Sequence, residues 1–519
     1  ILAQDTQKGG SRLGCPIPSR MSPCGGHGRV VCVALFSSVG ALLFGLDMGY
    51  IGPILSDDSF KRDIAHLPNW QERSSEVDGF TSGLIVGTFA LGCVCTSFPV
   101  CSSAFLDHLG RKVSIIVGAV VFILGAALQA IAEDTLCFLI GRFVDGCSIG
   151  IMSTVVPLYQ SELAPPEMRG ALASLFQVMI ITGVVIAALL NQLLLPLDGG
   201  WRVAVWLQVA PAAFLLLGML ALPRSPRWLV QRGRPEDALK ALKTYLPEAR
   251  AKSELGEIVL GHEAEEALGK ARWSEILTGR GLRLLSVGMA LQLLQQLQGI
   301  NAVIYFGPRI FKAVDFLDEN TCQTITNLFL LAGTLPAPLL VDRCGRRALF
   351  AWSAVAQGLP SAVIGVLGLT CMEQRDGQWV ASSHWAGWTI IAAVFVFVFN
   401  FGYGWGPVVW VYCGEMFPLR SRSRCVGLTT MSNWVGVYIV SQFTPVLLDA
   451  LGFGTFLLFA LGSLMALLLA LWLPETKGEV LERIDCLFDR KLGGKSAAHG
   501  SVEDDESRSN SENASSNTV

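Results

Sequence analysis

Formal charge is scarce in this chain. Of its 519 residues only 16% are Asp, Glu, Lys or Arg, against about a quarter in ordinary soluble domains. That shortage, with 52% hydrophobic residues and a mean hydropathy of +0.50, excludes a water-soluble globule as the bulk of the molecule. Metal-ligand spacing of the paired C-x2-C kind is missing despite 14 cysteines. Cys93, Cys95, Cys101 and Cys147 fall inside apolar runs and read as small apolar side chains. A complete Gly-x4-Gly-Lys-Ser/Thr nucleotide loop and a nucleophile–base arrangement are also missing, so the chain is expected to be no enzyme and to need no cofactor or metal. Residues 1–28 hold no apolar stretch of the signal-peptide type. The ten-residue alternation of a membrane β-barrel is absent too.

Long apolar runs are abundant. Each of about 20 residues matches the length needed to cross a ~30 Å hydrocarbon layer. Twelve are read, at 31–52, 80–102, 113–132, 136–158, 170–194, 202–222, 284–307, 322–341, 348–370, 387–411, 425–448 and 453–473. Lipid offers backbone amides no partner, so each run is expected to be a helix, in an all-α membrane protein. Arg111, Lys112, Arg169, Arg343, Arg346, Arg347, Arg420, Arg422 and Arg424 fall in the even-numbered connections. The odd ones carry Glu133, Asp134, Asp198, Asp318 and Glu319. By the positive-inside rule the even loops and both termini face the cytosol. A net charge of −3 is neutral on nucleic acid, and no nucleic-acid partner is expected; the lipid bilayer is. The expected organisation is a disordered leader at 1–29, six helices in 30–222, a linker of short helices at 223–282, six helices in 283–475, and a mostly disordered tail at 476–519.

Short polar patterns repeat between the two halves. Asp107-His-Leu-Gly110-Arg111-Lys112 returns as Asp342-Arg-Cys-Gly345-Arg346-Arg347. Glu162-x6-Arg169 returns as Glu415-x6-Arg422. Pro223-Arg-Ser-Pro-Arg and Pro474-Glu-Thr-Lys-Gly each follow the last apolar run of a half. Two similar halves in a membrane point to a carrier with its substrate site between them.

Further strings narrow this. Phe44-Gly-Leu-Asp47, Gly141-Arg142, Pro157-Leu-Tyr-Gln-Ser-Glu162 through Arg169-Gly170, and Gln295-Gln-Leu-Gln-Gly-Ile-Asn301-Ala-Val-Ile-Tyr305 occur in order. Trp405-Gly-Pro-Val-Val-Trp410, Glu415-Met-Phe-Pro, Asn433-Trp434 and Pro474-Glu-Thr-Lys-Gly478 complete the set. Over roughly residues 30 to 480 the chain resembles a sugar porter of the major facilitator superfamily. The resemblance implies the major facilitator fold, twelve transmembrane helices in two pseudo-symmetric halves, and transport of a hexose by alternating access. Two departures stand out: Arg224 occupies the acid position of the family's Pro-Glu-Ser-Pro-Arg motif, and Leu330 the place of a common helix 8 Asn, with Asn327 one turn earlier.

A sugar needs hydrogen-bonding amides and flat aromatic faces. Gln295, Gln296 and Asn301 lie in an apolar stretch, where unpartnered amides are costly, so they face partners or a wet cavity. Each amide both donates and accepts, as a hydroxyl does. The competing reading is interhelical glue. By resemblance Gln177 and Asn433 join the sugar site, with Tyr305, Phe401, Trp410 and Trp434 as aromatic walls. Ordinary packing is the alternative for the aromatics. Gly402, Gly404, Gly406 and Pro407 break helix 10, as a gating hinge or for close packing.

Asp47, mid-way along helix 1, is expensive in lipid unless paired, and an intramembrane acid is functional by default. Arg142 is the available cation. In the resembled family an Asp at this place goes with proton-coupled symport, which makes the proton a co-substrate; a static ion pair is the alternative. Asp107, Arg111, Glu162, Arg169, Asp342, Arg346, Glu415 and Arg422 are read as a cytosolic gate tying the halves together, or as topology-setting charges. A passive facilitator, an inositol carrier and a sugar sensor remain open beside the hexose symporter. The plasma membrane is the expected location.

Overall fold

The computed structural model describes residues 27–477 except 71–75, 100, 102–103, 164–168, 270–271, 314–317, 376–377 and 419–420, together with Phe488. The expected leader and tail therefore lie almost wholly outside the described residues.

Helices dominate because a helix satisfies its own backbone in lipid. The first half holds α1 (Cys32–Ser56), α2 (Gly79–Ser97), α3 (Arg111–Ala130), α4 (Thr135–Leu163), α5 (Arg169–Leu194) and α6 (Gly200–Ala221). The second holds α7 (Gly279–Leu297 continuing as Ile300–Lys312), α8 (Glu319–Val341), α9 (Arg346–Thr370), α10 (His384–Tyr403 continuing as Trp405–Glu415), α11 (Arg422–Leu451) and α12 (Thr455–Trp472). Ten helices among the described residues are long and apolar enough to span a bilayer. One of these, Arg424–Trp472, is α11 and α12 together, and α7 is not in the set because it is interrupted and rich in Gln. Twelve crossing segments result.

The interruptions have local causes. Gly299 sits between the two parts of α7 at φ +91, where a Cβ would strike the Phe459 ring. α10 breaks at Gly404, just before Trp405-Gly-Pro. Asp78 and Asp318 start α2 and α8 by accepting from Thr81 N and Thr321 N, both at 2.9 Å.

The segment between the halves forms three short helices, Pro226–Gln231, Pro235–Lys243 and Trp273–Ile276, and one of 21 residues, Glu248–Leu268. Pro at the first position and acids in the first turn suit the second of them. One element has no counterpart in the sequence reading. Strands β1 (Met372–Arg375) and β2 (Gln378–Ala381) form a hairpin with Met372 opposite Ala381. Four-residue strands are too short to leave a periodic signal.

Phe80, Leu124, Leu193, Leu217, Trp352, Leu359 and Leu468 point outward and exposed, an apolar face that only lipid accommodates. Inside each half α1 packs on α5, α2 and α3 on α4, α7 on α11, and α8 and α9 on α10. Three seams join the halves: α2 with α11, α5 with α8, and α1 with the second part of α7. The first two exchange under the pseudo-twofold relation. The centre of the molecule between the seams is where the polar residues converge.

Candidate functional site at the centre of the two halves

The second half contributes a mesh of amides. Asn301 Nδ2 donates to Gln296 Oε1 at 2.6 Å, and Gln296 Nε2 to Asn433 Oδ1 at 3.2 Å. Asn433 Nδ2 donates to Gln295 Oε1 and to Gln292 Oε1, both at 2.7 Å. Gln295 Nε2 donates to Trp405 O at 2.7 Å and Gly406 O at 3.0 Å, filling the acceptors freed where α10 breaks. All five amides are buried, and Gln292 Nε2 has no partner among the described residues. Such a mesh can trade its internal bonds for those of a polyhydroxylated ligand, because every member both donates and accepts.

Aromatic groups adjoin it. Trp434 is buried, with its ring centroid 5.2 Å from Phe44 and 5.9 Å from Phe89. Its indole N–H and the Tyr305 hydroxyl both lack hydrogen-bond partners among the described residues. Phe401 is buried beside Gly406 at the α10 break, whereas Trp410 is only half-buried. Gln177 on α5 is half-buried and takes no part in the mesh. Asn327 is buried on α8, and its side-chain oxygen accepts from Gln323 at 3.3 Å.

The first half contributes charge. Arg142 Nη1 donates to Asp47 Oδ1 at 2.7 Å, and both side chains are 0% exposed. The same nitrogen lies 3.1 Å from the Tyr50 hydroxyl, and Arg142 Nε donates to Ile85 O at 3.3 Å. The guanidinium sits 4.7 Å over the Phe89 ring, a cation–π contact. Phe89 thus touches Arg142 on one side and Trp434 of the opposite half on the other. The buried pair is costly in desolvation, and removing one partner would strand the other. The sequence reading missed several of these groups. Tyr50 stands three residues from Asp47, and Gln292 three from Gln295; helical spacing was the available signal. Asp145, buried three residues beyond Arg142, was missed although an acid in an apolar run is itself a signal.

The gate residues are arranged differently from expectation. Arg111 Nη2 meets Glu162 Oε1 at 2.6 Å, joining α3 to α4, and Arg346 Nη2 meets Glu415 Oε1 at 2.9 Å, joining α9 to α10. Both pairs therefore run inside a half, not between halves. Their cause is the turn before each arginine: Gly110 at φ +76 and Gly345 at φ +86 place it over the end of the following helix. Ser225 and Thr476 hold the second oxygens of Glu162 and Glu415. Tyr159 donates to Pro223 O at 2.8 Å, and Tyr412 to Pro474 O at 2.9 Å, so this contact recurs in both halves. Arg422 donates to Phe417 O at 3.2 and 3.1 Å. The side chains of Asp107, Arg169 and Asp342 lie outside the described residues.

Polar contacts between the halves are seen among the described residues at the opposite end. Glu76 meets Arg309 at 2.9 Å and Lys312 at 3.0 Å, and Arg309 also pairs with Asp449. Gln192 donates to Thr321 at 3.1 Å and Gln442 to Phe80 O at 3.3 Å. A cavity of about 790 Å3 opens there, lined by Gly52, Trp70, Gln192, Tyr305 and Arg309 among others.

Comparison with known proteins agrees with this architecture. The sequence profile described as sugar (and other) transporter matches residues 33–488. A major facilitator-type transporter, ecdD of Aspergillus rugulosus, is 33% identical, with 88% of this chain and 87% of that one covered. The high-affinity hexose transporter ght4 of Schizosaccharomyces pombe is 32% identical over 89% and 83% of the two chains. The proton:xylose symporter XylE, solved with 6-bromo-6-deoxy-D-glucose, superposes at a TM-score of 0.74 with 24% identity, covering 89% of this chain and 100% of that one.

Proposed function

The chain belongs to the sugar-transporter family of the major facilitator superfamily, and from that premise we propose that it carries a glucose-like hexose across a membrane by proton-coupled symport. The supporting observation is the continuity from the amide mesh through Trp434 and Phe89 to the Asp47–Arg142 pair, which links the two halves at the centre of the molecule. The hexose relative and the proton:xylose symporter add weight.

A hexose enters from the vestibule past Tyr305 and exchanges its hydroxyls into the mesh of Gln295, Gln296, Asn301 and Asn433. Trp434 and Trp410 supply apolar faces, and Gln177 reaches the sugar from the first half once the halves close. Tyr305 stands within electrostatic reach of Arg142 and Asp47, so substrate and charge pair share a neighbour. With Asp47 ionised, its bond to Arg142 holds α1 against α4. Protonation removes that attraction and alters the balance between outward- and inward-facing states; bound sugar biases the same balance, and the two become coupled. The membrane potential adds about 2.3 kcal/mol per charge per 100 mV. The α3–α4 and α9–α10 clamps keep each half rigid as it rocks, and the charges around Glu76 and Arg309 close the vestibule. The basic ends and both termini face the cytosol, at the plasma membrane.

Uptake of labelled hexoses and inositol into proteoliposomes, with and without an uncoupler, tests the substrate class. Saturable hexose accumulation under an inward proton gradient is expected, collapsing with the uncoupler. Binding without uptake would make the protein a sensor and end the carrier reading.

A further inference from the structure

Arg142 engages one carboxylate with one nitrogen. Its Nη1 serves both Asp47 and Tyr50, while its Nη2 has no hydrogen-bond partner among the described residues. Asp145 lies three residues further along α4, a spacing that makes helical side chains neighbours, roughly 5–6 Å apart at Cβ. It is 1% exposed. Its Oδ2 accepts from Gln129 Nε2, and its Oδ1 has no partner among the described residues. Gln129 Oε1 in turn accepts from the Tyr50 hydroxyl. Asp47, Arg142, Tyr50, Gln129 and Asp145 are thus one connected, buried polar cluster.

Counting charge constrains this cluster. Two ionised carboxylates around one guanidinium would leave a net negative charge buried, and an uncompensated buried charge is strongly unfavourable. With Asp47 ionised, Asp145 therefore holds a proton. Neutralising Asp47 alone creates the opposite difficulty, because Arg142 becomes a bare cation in the membrane.

We propose that Asp145 is the alternative counter-ion of Arg142, accepting the guanidinium when Asp47 is protonated. The proposal rests on the symport reading above. Asp47 binds one proton from the vestibule side. Arg142 leaves Asp47 Oδ1, and its unpartnered Nη2–H meets Asp145 Oδ1. Asp145 loses its own proton to the water on the side to which the carrier then opens. As Arg142 returns, the proton on Asp47 passes to Asp145, so each cycle binds one proton and releases one. Once Asp145 has ionised the cation is paired again, which lowers the barrier that a lone Asp–Arg pair would face.

The titratable groups around Asp145 are Arg142 on its own helix and Asp47 and Tyr50 on α1. Cys93 on α2 and Tyr305 on α7 adjoin the Asp47–Arg142 end, and α3 supplies only uncharged Gln129. The test is the external pH dependence of hexose uptake for wild type, Asp145→Asn and Asp145→Glu, each in an Asp57→Asn background, because vestibule Asp57 titrates at about 6. Asn keeps the shape and still accepts from Gln129, so a merely structural role leaves the profile in place. The proposal expects the midpoint in Asp145→Asn to move to lower pH by about one unit, tenfold in proton concentration, and Glu to restore it. Superimposable profiles overturn the role of Asp145 alone; a wild type indifferent to pH overturns it together with the symport reading. Should Asp145→Asn fail to fold, infrared spectroscopy of Asp47→Asn decides. Asp145 ionises beside Arg142 in that variant, so the buried protonated-carboxyl band of the wild type is lost at neutral pH and returns only on acidification; a band that persists at neutral pH overturns the proposal.

Discussion

Asp57 follows the last turn of α1 and caps the short helix Asp58–Asp63, accepting from Phe60 N at 3.1 Å. Burial pushes its carboxyl up to about 6, against the pull of the Phe60 bond and of Lys61. The folded value lies above the unfolded one, so the folded protein binds this proton more tightly. Stability from this group is therefore fully present below about pH 4, falls as pH rises towards about 6, and is level above. Asp57→Asn keeps the cap and should flatten that part of a thermal-stability profile; an unchanged slope between these pH values would show the group to be unimportant. Residues of this kind are poorly legible in sequence, because burial decides their chemistry. Asp47 was legible since an acid between Leu46 and Met48 has no cheap explanation in lipid. Asp145 gives the same signal from within the fourth apolar run, but one cation, Arg142, balances only one acid, and Asp47 suffices for that. Gln292 escaped for a different reason: spacing gives the face a side chain occupies, not the Asn433 amide it meets from another helix.

At the scale of elements, the two halves begin α3 and α9 unequally. Glu475 accepts from Arg346 N at 2.9 Å and Arg347 N at 3.0 Å, capping α9. The matching position is Arg224, whose guanidinium is exposed and lies 5.4 Å from the Trp228 ring, while Trp228 covers Gly110. The departure from Pro-Glu-Ser was visible in sequence, but its consequence, an indole in place of a carboxylate cap, was not. Glu475→Ala should lower stability by about 1 kcal/mol or more, as loss of a helix cap does. Arg224→Ala should stay within about 0.5 kcal/mol, as at ordinary surface sites. Thermal unfolding of the two variants in parallel checks the asymmetry, and equal losses would contradict it. Broken helices were partly foreseeable: Gly404 and Pro407 announced the break in α10, whereas that in α7 depends on Gly299 meeting Phe459 from α12. The β1–β2 hairpin left no pattern to read.

For the whole molecule, the repeat in the sequence was enough to imply two halves but not how they meet. Of the charges expected to join them, Arg111 with Glu162 and Arg346 with Glu415 pair inside a half, because the turns at Gly110 and Gly345 fix the arginines locally. The halves meet instead along α2–α11 and α5–α8, and through Glu76, Arg309 and Lys312 beside the vestibule. Loops such as the one carrying Glu76 have no periodicity from which a partner across the molecule could be inferred. Between these contacts the amide mesh and the Asp47–Arg142 pair are joined by two aromatic rings, and the central claim is that sugar and proton move through this one assembly. Its most direct measurement is the pH inside proteoliposomes when hexose is added outside, for wild type and Asp47→Asn. The account predicts acidification of the lumen by wild type, and none by Asp47→Asn, even where that variant still exchanges hexose. Entry of hexose through the wild type with the internal pH unmoved would contradict it.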